Sequence, residues 1–328
     1  MMGESGSPPG LSVVVPTRNV AATIDACLSA LLSELSGSPH EIIVVDNGST
    51  DDTLARVRAH PVRLEVMPPA FVAASRNLGA RLAAGPLLAF VDSDCVVKPG
   101  WSTAVRAVLA DAAIGVTGSR HIVRDDSTWV ERAWDRAHRR RATAPLVDTA
   151  YIPAGNMAVR RDVFLGVGGF DETLETGEDP DLCARIAAGG LRIVEARETR
   201  CVHLGEPRTL GDVFRRERWH GRGARLRYGD GRLAPIMIST VGFALTSLVA
   251  VAAIVAGLVT GRYLLAAAAV LPALVPAVYA LRYARGAPGQ GPALYAIYAA
   301  YFVGRAAALP VVAARAWHRA RVAPEEAA

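Results

Sequence analysis

The chain has 328 residues, 51% of them hydrophobic, and a formal net charge of +5 whose basic residues are almost all arginine. This length suits one large domain or two smaller ones. The apolar residues are concentrated after residue 235, and we find no acidic or basic tail and no zinc-finger or other nucleic-acid motif. These features favour a membrane surface as partner and argue against nucleic acid.

Residues 1–10 are rich in Gly, Ser and Pro and lack the basic and apolar regions of a signal peptide, so we expect a disordered leader there. The four cysteines lie in apolar surroundings and none forms a C-x-x-C pair; they are Cys27, Cys95, Cys183 and Cys201. We therefore expect reduced, mostly buried thiols in a cytosolic domain.

Strands alternate with helices from residue 11 to residue 91. Apolar runs predict buried strands at 11–15, 42–45, 62–66 and 87–91. Helices are predicted in between, beginning near Ile24, after Ser49 and at Phe71. Polar residues follow the strand ends, which is typical of βαβ units around a parallel sheet with a site at its carboxyl edge. The sequence therefore predicts an α/β domain.

Two carboxylates follow the last of these strands. Asp92 and Asp94 are spaced i, i+2, so in an extended backbone they share one face and can converge on one cation. Hard oxygen ligands suit Mg²⁺ or Mn²⁺, ions that usually also hold a substrate's phosphates. The alternative for this short pattern is a solvated turn.

The pattern is looser after Gly100. Helices are predicted over 101–109 and 129–141, and strands over 115–119, 154–159 and 191–194. Gly155 indicates a close backbone approach at the second of these strands. Glu178 begins a helix that runs to about residue 188, with Pro180 in its first turn. We place the whole α/β domain at residues 11–209.

The C-terminal part predicts a membrane region. Residues 210–228 form a basic amphipathic helix within an interfacial segment 210–232, which suits anionic lipid. Three apolar helices follow, at 236–259, 263–281 and 293–314. Arg305 lies inside the third, and a third full span would place several arginines on the outer side, against the positive-inside rule. The third helix is therefore either a span or an interfacial or re-entrant segment, and a buried hairpin of a soluble protein is the remaining alternative.

Five motifs in order resemble family 2 glycosyltransferases, inverting enzymes with the GT-A fold. They cover residues 13–19, 44–52, 74–79, 90–94 and 177–182, and the resemblance extends over about residues 11–220. It implies a nucleotide-sugar donor, UDP- or GDP-linked, and a divalent cation, Mn²⁺ or Mg²⁺. Each motif alone has a structural alternative, such as a turn former or a helix-terminal charge.

The family's roles carry over residue by residue. Pro16 and Thr17 resemble the edge that lines the nucleotide base, and Asp46 resembles the residue that bonds the base or ribose. Arg76 lies where the family contacts the nucleotide, and a guanidinium suits a diphosphate. Asp92 and Asp94 resemble the metal-binding pair, with Asp92 closer to the ribose.

Asp179 resembles the general base that deprotonates the acceptor hydroxyl. His203 lies where some relatives offer a further metal ligand or phosphate contact, and its alternative is a structural histidine. Arg215, Arg218 and Trp219 resemble the Gln-x-x-Arg-Trp motif of processive synthases, with Arg in place of Gln, and would help to hold the diphosphate. Their alternative is a basic interfacial helix.

The sequence thus predicts an inverting glycosyltransferase at the cell membrane, with a cytoplasmic catalytic domain and two or three membrane segments. Its acceptor would be lipid-linked or otherwise membrane-associated. A processive synthase, a nucleotidyltransferase and an inactive nucleotide-sugar-binding membrane partner are the alternatives.

Overall fold

The computed structural model describes residues 8–138, 144–223, 235–285 and 289–314. Within these ranges the strands are β1 (Leu11–Thr17), β2 (His40–Asp46), β3 (Arg63–Val66), β4 (Leu87–Val91), β5 (Cys95–Val97), β6 (Ile114–Gly118), β7 (Leu146–Asp148), β8 (Asn156–Arg160), β9 (Arg192–Ala196) and β10 (Cys201–His203). The α-helices are α1 (Ile24–Leu35), α2 (Thr53–Arg58), α3 (Val72–Leu82), α4 (Trp101–Leu109), α5 (Trp129–His138), α6 (Arg161–Gly166), α7 (Glu178–Ala188), α8 (Leu210–Arg222), α9 (Pro235–Thr260), α10 (Val270–Ala284) and α11 (Gly291–Ala306). Short 3₁₀ helices cover Arg197–Thr199 and Tyr263–Ala269.

The described residues divide into two compact units. The first contains residues 8–124 and 144–205, and it holds the sheet and the helices that pack on it. The second contains residues 125–138 together with the described residues from 206 onward. Parts of three predicted segments lie outside the described residues. They are residues 1–7 of the leader, residues 139–141 of the helix predicted over 129–141, and residues 224–232 of the interfacial segment.

The first unit is built on an eight-stranded sheet with the order β3-β2-β1-β4-β8-β6-β9-β7. The four strands predicted from the first half of the chain are parallel and lie side by side. This confirms the α/β class. The parallel arrangement does not continue through the second half of the chain, where β8 runs antiparallel between β4 and β6 and β7 runs antiparallel to β9. An antiparallel neighbour needs no crossover helix, and the segment before β8 is a loop.

Alternation along β1 explains how the sheet is covered on both faces. Val13 and Val15 point into a core with α1 and α4, whereas Val14 points into a second core with α3 and α7. All three valines are fully buried. Helix α3 lies so close to β1 that a Cβ at Gly79 would overlap the side chain of Val14. Glycine is therefore required in this helix to bring its polar residues up to the sheet edge.

A two-stranded antiparallel ribbon, β5 with β10, lies beyond the end of β4. Each strand has three residues, too few for a recognisable apolar alternation, and the sequence analysis did not predict a ribbon. Its consequence is that Cys95, one residue after Asp94, is paired with His203. The ribbon therefore brings a histidine from a distant part of the chain to the acidic pair.

The second unit contains α5, α8 and the apolar C-terminal helices. Helices that are long and apolar enough to cross a membrane cover Pro235–Thr260, Tyr263–Ala284 and Gly291–Ala314, with mean hydropathies of 2.3, 2.2 and 1.5. Large apolar side chains are widely exposed on the first two, for example Leu248 at 67% and Leu264 at 92%. These surfaces have the character of lipid-facing helices.

The third apolar helix, α11, packs closely along α8. A Cβ at Gly304 would lie 2.6 Å from the carbonyl oxygen of Phe214, and a Cβ at Gly221 would lie 2.7 Å from the Cβ of Ala308. Because the later residue of α8 meets the later position, Ala308 just beyond the end of α11, the two helices run in the same direction.

Candidate active site

The first carboxylate of the site is fixed by the end of β4 and the loop before β8. The backbone N–H of Asp92 donates to the carbonyl oxygen of Gly155 at 3.1 Å. A Cβ at position 155 would lie 2.5 Å from Oδ2 of Asp92 and 3.2 Å from Cε1 of His121. The absent side chain of Gly155 therefore leaves the space that the Asp92 carboxylate occupies. The predicted close approach at Gly155 is confirmed.

The second carboxylate is held by the β5–β10 ribbon. Oδ1 of Asp94 lies 3.1 Å from Nε2 of His203, and the backbone N–H of Leu204 donates to the carbonyl oxygen of Asp94 at 2.8 Å. A Cβ at Gly205 would overlap Oδ2 of Asp94. Asp94 and His203, predicted to act together, are therefore adjacent in the structure.

Arg76 connects the acidic pair to the helix that carries the predicted base. Its two terminal nitrogens donate to Oδ1 of Asp92 and to Oε1 of Glu178, both at 2.7 Å. The Arg76 side chain is only 4% exposed. The predicted contact between Arg76 and a diphosphate thus competes with two ion pairs within the protein, and Arg76 already serves to hold α3, the end of β4 and α7 together.

These charges set the pKa of Asp92. Burial alone would raise the pKa of this carboxyl, but the Arg76 guanidinium holds it below its usual value, with smaller effects from His203 and His121. The carboxylate form is therefore favoured, which is the form that binds a cation.

Asp179 lies in the first turn of α7, after Gly177 in a left-handed conformation with φ 85°. Burial raises the pKa of Asp179 to about 7 and the neighbouring Glu178 adds to the rise, whereas Arg76 and the backbone N–H of Ala154 oppose it. A carboxylate that titrates near neutrality can accept a proton from a hydroxyl and remain deprotonated for much of the time.

The strand ends next to β4 form a polar turn. Asp46 is fully buried. Its Oδ1 accepts from the backbone N–H groups of Gly48 and Ser49, and its Oδ2 accepts from the Ser49 hydroxyl at 2.5 Å. Thr17 is paired with Asp46 across the two strands, and Pro16 precedes it, also buried. The Asp46 carboxylate therefore shapes this turn, and its contact with a base or ribose stays a prediction.

The synthase-like residues on α8 belong to the second unit. Arg215, Arg218 and Trp219 are all exposed, Trp219 by 43%. Arg215 forms an ion pair with Asp212, one turn earlier on the same helix. Their exposure leaves them accessible to a ligand, and a role in donor binding stays a prediction.

Two contributors to the site were not predicted. The ring of His121 stacks on His203 with centroids 4.6 Å apart, yet nothing in its local sequence marks it. Asn156, at the start of β8, accepts from the indole N–H of Trp101 and donates to the carbonyl oxygen of Thr199, and it is 1% exposed. Asn156 fixes the strand that begins immediately after Gly155.

The donor set fits a divalent cation. Two carboxylates and one imidazole, from Asp92, Asp94 and His203, are ligands that suit Mn²⁺, and the oxygen donors suit Mg²⁺ as well. Oδ2 of Asp92 is not the oxygen that Arg76 engages. Arg76 therefore holds one oxygen of the Asp92 carboxylate and leaves Oδ2 as a potential ligand.

Comparisons with known proteins agree with this architecture. The sequence model described as "Glycosyl transferase family 2" matches residues 12–167. The pre-mycofactocin glycosyltransferase of Mycobacterium tuberculosis is 30% identical over 77% of this chain and 56% of the relative. The validoxylamine A glucosyltransferase of Streptomyces hygroscopicus is 30% identical over 64% of this chain and 58% of the relative. The chain thus spans little more than half the length of these two relatives.

A glycosyltransferase of Mycobacterium bovis is 30% identical over 56% of this chain and 82% of the relative. Among solved structures, a mannosyltransferase of Pyrobaculum calidifontis is similar with a TM-score of 0.53 and 20% identity, over 94% of this chain and 87% of the other. This similarity shows the GT-A fold. The motifs, the sheet and these relatives together place the chain in glycosyltransferase family 2.

Proposed function

We propose that the chain is an inverting, metal-dependent glycosyltransferase that moves a sugar from a nucleotide-sugar donor to a hydroxyl of a membrane-associated or lipid-linked acceptor. The observation that carries the proposal is the connection through Arg76. One guanidinium bonds both Asp92, in the acidic pair, and Glu178, the residue before Asp179. A cation-binding strand and a base-bearing helix that are joined in this way suit a single reaction centre.

In the proposed reaction, Asp179 accepts the proton of the acceptor hydroxyl. The acceptor oxygen forms a bond to the anomeric carbon while the bond from that carbon to the donor's phosphate oxygen breaks, so the configuration inverts. A divalent cation bound by Asp92, Asp94 and His203 would neutralise the charge of the departing diphosphate. Arg76 keeps Asp92 ionised and in place, and burial together with the neighbouring Glu178 keeps the pKa of Asp179 near neutral.

The donor class is inferred from the family and from structural relatives. The Pyrobaculum mannosyltransferase was solved with GDP-Man and Mn²⁺, and a GalNAc-T7 structure with a TM-score of 0.50 contains UDP and Mn²⁺. We assign the turn formed by Pro16, Thr17 and Asp46 to the base and ribose. Thermal-shift measurements on the full chain in detergent, with UDP- and GDP-sugars and with or without Mn²⁺, would identify the donor.

The deciding experiment is donor hydrolysis or transfer assayed with Mn²⁺ for the wild type, Asp179→Asn and Asp181→Asn. Asp181 is a matched control, because it lies in the same helical turn but pairs with Arg185. We expect the wild type and Asp181→Asn to release nucleoside diphosphate and Asp179→Asn to lose this activity. Donor binding without release in all three proteins would support an inactive binding partner and refute the proposed enzyme.

A membrane-associated acceptor suits the exposed apolar helices, and we infer a topology with two spans. Six of the thirteen residues of α8 are charged, which excludes α8 from the hydrocarbon. Because α11 packs along α8, and Arg305 of α11 donates to Oε2 of Glu217 at 2.9 Å, α11 lies at the interface. Pro235–Thr260 and Tyr263–Ala284 then form a hairpin that returns the chain to the cytoplasmic side.

This topology is testable with Arg262→Cys and Gln290→Cys and with a reporter fused after Ala328. Two spans predict that an impermeant thiol reagent labels position 262 from outside and leaves position 290 unlabelled in intact cells. The C-terminal reporter should then lie on the same side as position 290. A reporter on the opposite side from position 290 would show that the third apolar helix spans the membrane.

A further inference from the structure

Two cysteines of the β5–β10 ribbon and one histidine beside it bring sulfur and nitrogen atoms together close to the acidic pair. The side chains are Cys95, Cys201 and His121, and their ligand atoms all lie within 4.8 Å of one another. Both cysteines are fully buried. The Cys95 thiol is within hydrogen-bonding reach of both Cys201 and His121.

The strand register explains why the two thiols meet. Cys95 is opposite His203 and Val97 is opposite Cys201, so Cys95 and Cys201 are diagonal neighbours on one face of the ribbon. Ile122 bridges to Val202, and its N–H donates to the carbonyl oxygen of Cys201 at 2.9 Å. This bridge brings the adjacent His121 against the same face. The three residues come from three segments that are far apart in sequence.

Two thiols and one imidazole form a different donor set from the carboxylates of Asp92 and Asp94. Sulfur and nitrogen ligands select Zn²⁺ and similar soft ions, whereas carboxylates select Mg²⁺ and Mn²⁺. Tetrahedral zinc with Zn–S bonds of about 2.3 Å requires ligand atoms roughly 3.5–3.8 Å apart. The ligand atoms already lie within 4.8 Å of one another, so small side-chain rotations within the ribbon can bring them to this spacing.

The remaining cysteines provide a contrast. Within the part of the chain that the structure describes, the groups with metal-binding geometry include Cys95 and Cys201 but neither Cys27 nor Cys183. Cys27 donates its thiol to the backbone carbonyl of Asp92, and Cys183 is buried in α7. Burial alone therefore does not distinguish Cys95 and Cys201; their shared neighbour His121 does.

We propose that Cys95, Cys201 and His121 bind a zinc ion, with the fourth position taken by water, separately from the cation at Asp92, Asp94 and His203. The ion joins β5, β10 and the segment before Ile122. Because Asp94 precedes Cys95 and His203 follows Cys201 by two residues, this ion would fix the ribbon that positions both groups. Zinc binding itself does not depend on the proposed transfer activity.

The test uses the full chain in detergent, with elemental analysis of the purified protein followed by replacement of zinc with Co²⁺. We expect one equivalent of zinc, and for the Co²⁺ protein a thiolate-to-cobalt charge-transfer band with the visible bands of tetrahedral coordination. Cys201→Ser should lose the charge-transfer band, whereas the matched control Cys183→Ser should keep it. Asp94→Asn should also keep it, which separates this site from the carboxylate site.

Absence of the charge-transfer band in the folded wild type, or an unchanged band in Cys201→Ser, would overturn the proposal. So would a disulfide between Cys95 and Cys201 in protein purified without reductant. If Cys201→Ser does not fold, His121→Gln changes a ligand that is only partly buried, and it should weaken Co²⁺ binding and alter the visible bands of tetrahedral coordination. The positioning role is tested separately: removal of zinc with a soft-metal chelator should raise the Mn²⁺ concentration needed for donor hydrolysis. If the protein shows no transferase activity, the cobalt spectrum still tests the zinc site by itself.

Discussion

Replacing Glu178 by Gln tests whether Asp179 is the catalytic base. Burial and Glu178, in that order, raise the pKa of Asp179 from an ordinary value of 3.8 to about 7. A rise of this size corresponds to about 4 kcal/mol of preference for the protonated form. Since Glu178 is the second of the two causes, we expect its neutral isostere to reverse the smaller part of this rise and to leave the part that is due to burial.

The sign follows from the role of a base, which must be deprotonated to act. Activity is lost as the pH falls through the pKa of Asp179, so a lower pKa moves this acidic limb to lower pH. In Glu178→Gln the midpoint of the limb should move from about 7 to a lower pH, because the raising effect of the Glu178 charge is removed. The glutamine oxygen can still accept from Arg76, so the connection to α3 is weakened but not removed.

The measurement is the pH dependence of kcat/KM for donor hydrolysis with Mn²⁺, because this ratio reports groups of the free enzyme. Asp181→Asn again serves as the control, since it removes one carboxylate from the same helical turn, and its limb should stay where the wild type has it. An acidic limb that is unchanged in Glu178→Gln, or that moves to higher pH, would refute the assignment of Asp179 as the base.

Three further substitutions address packing around the site and in the second unit. Gly155→Ala places a methyl group 2.5 Å from Oδ2 of Asp92, so we expect Mn²⁺ affinity, measured by activation of hydrolysis, to fall by roughly 10-fold or more while the protein stays folded. Asn156→Leu leaves the buried indole N–H of Trp101 without its partner and removes one of the two hydrogen bonds to the carbonyl of Thr199, so it should lower the free energy of unfolding by about 2 kcal/mol, measured by denaturant titration. Arg305→Met removes one of the two arginines that pair with Glu217, which is 3% exposed, and leaves Arg216 at 3.5 Å; this should cost about 2 kcal/mol in detergent, and adding Glu217→Gln should recover part of that loss.

The sequence was sufficient for elements whose signal is local. Helices α4 and α7 match their predicted bounds, because each combines an apolar stripe with a clear start. The strand ends carrying Asp46 and Asp92 were predicted from runs of buried residues that stop at a polar residue. Since the carboxyl ends of parallel strands meet at one edge, this local information also predicted that the two residues would lie at the same edge.

Pairing between distant segments could not be predicted in the same way. Strand β8 lies antiparallel in the middle of the sheet, and an apolar run of five residues does not encode its direction. The pairing of Cys95 with His203 joins three-residue strands that are more than a hundred positions apart. Arg305 was recognised as costly in an apolar helix. Its partner Glu217 is 88 residues away on a helix with five other charged residues, so the sequence does not indicate which of them pairs with Arg305.

Glycine residues, as well as the acidic residues, determine the geometry of this site. Asp92 and Asp94 each fit only because a second chain segment lacks a side chain, at Gly155 and Gly205 respectively. Gly155 was noticed because it interrupts a strand pattern, whereas Gly205 lies in an irregular loop where a glycine is unremarkable. The carboxylate pair therefore predicts the ligands of a cation from local sequence. The space that these two carboxylates need comes from glycines that are more than sixty residues away.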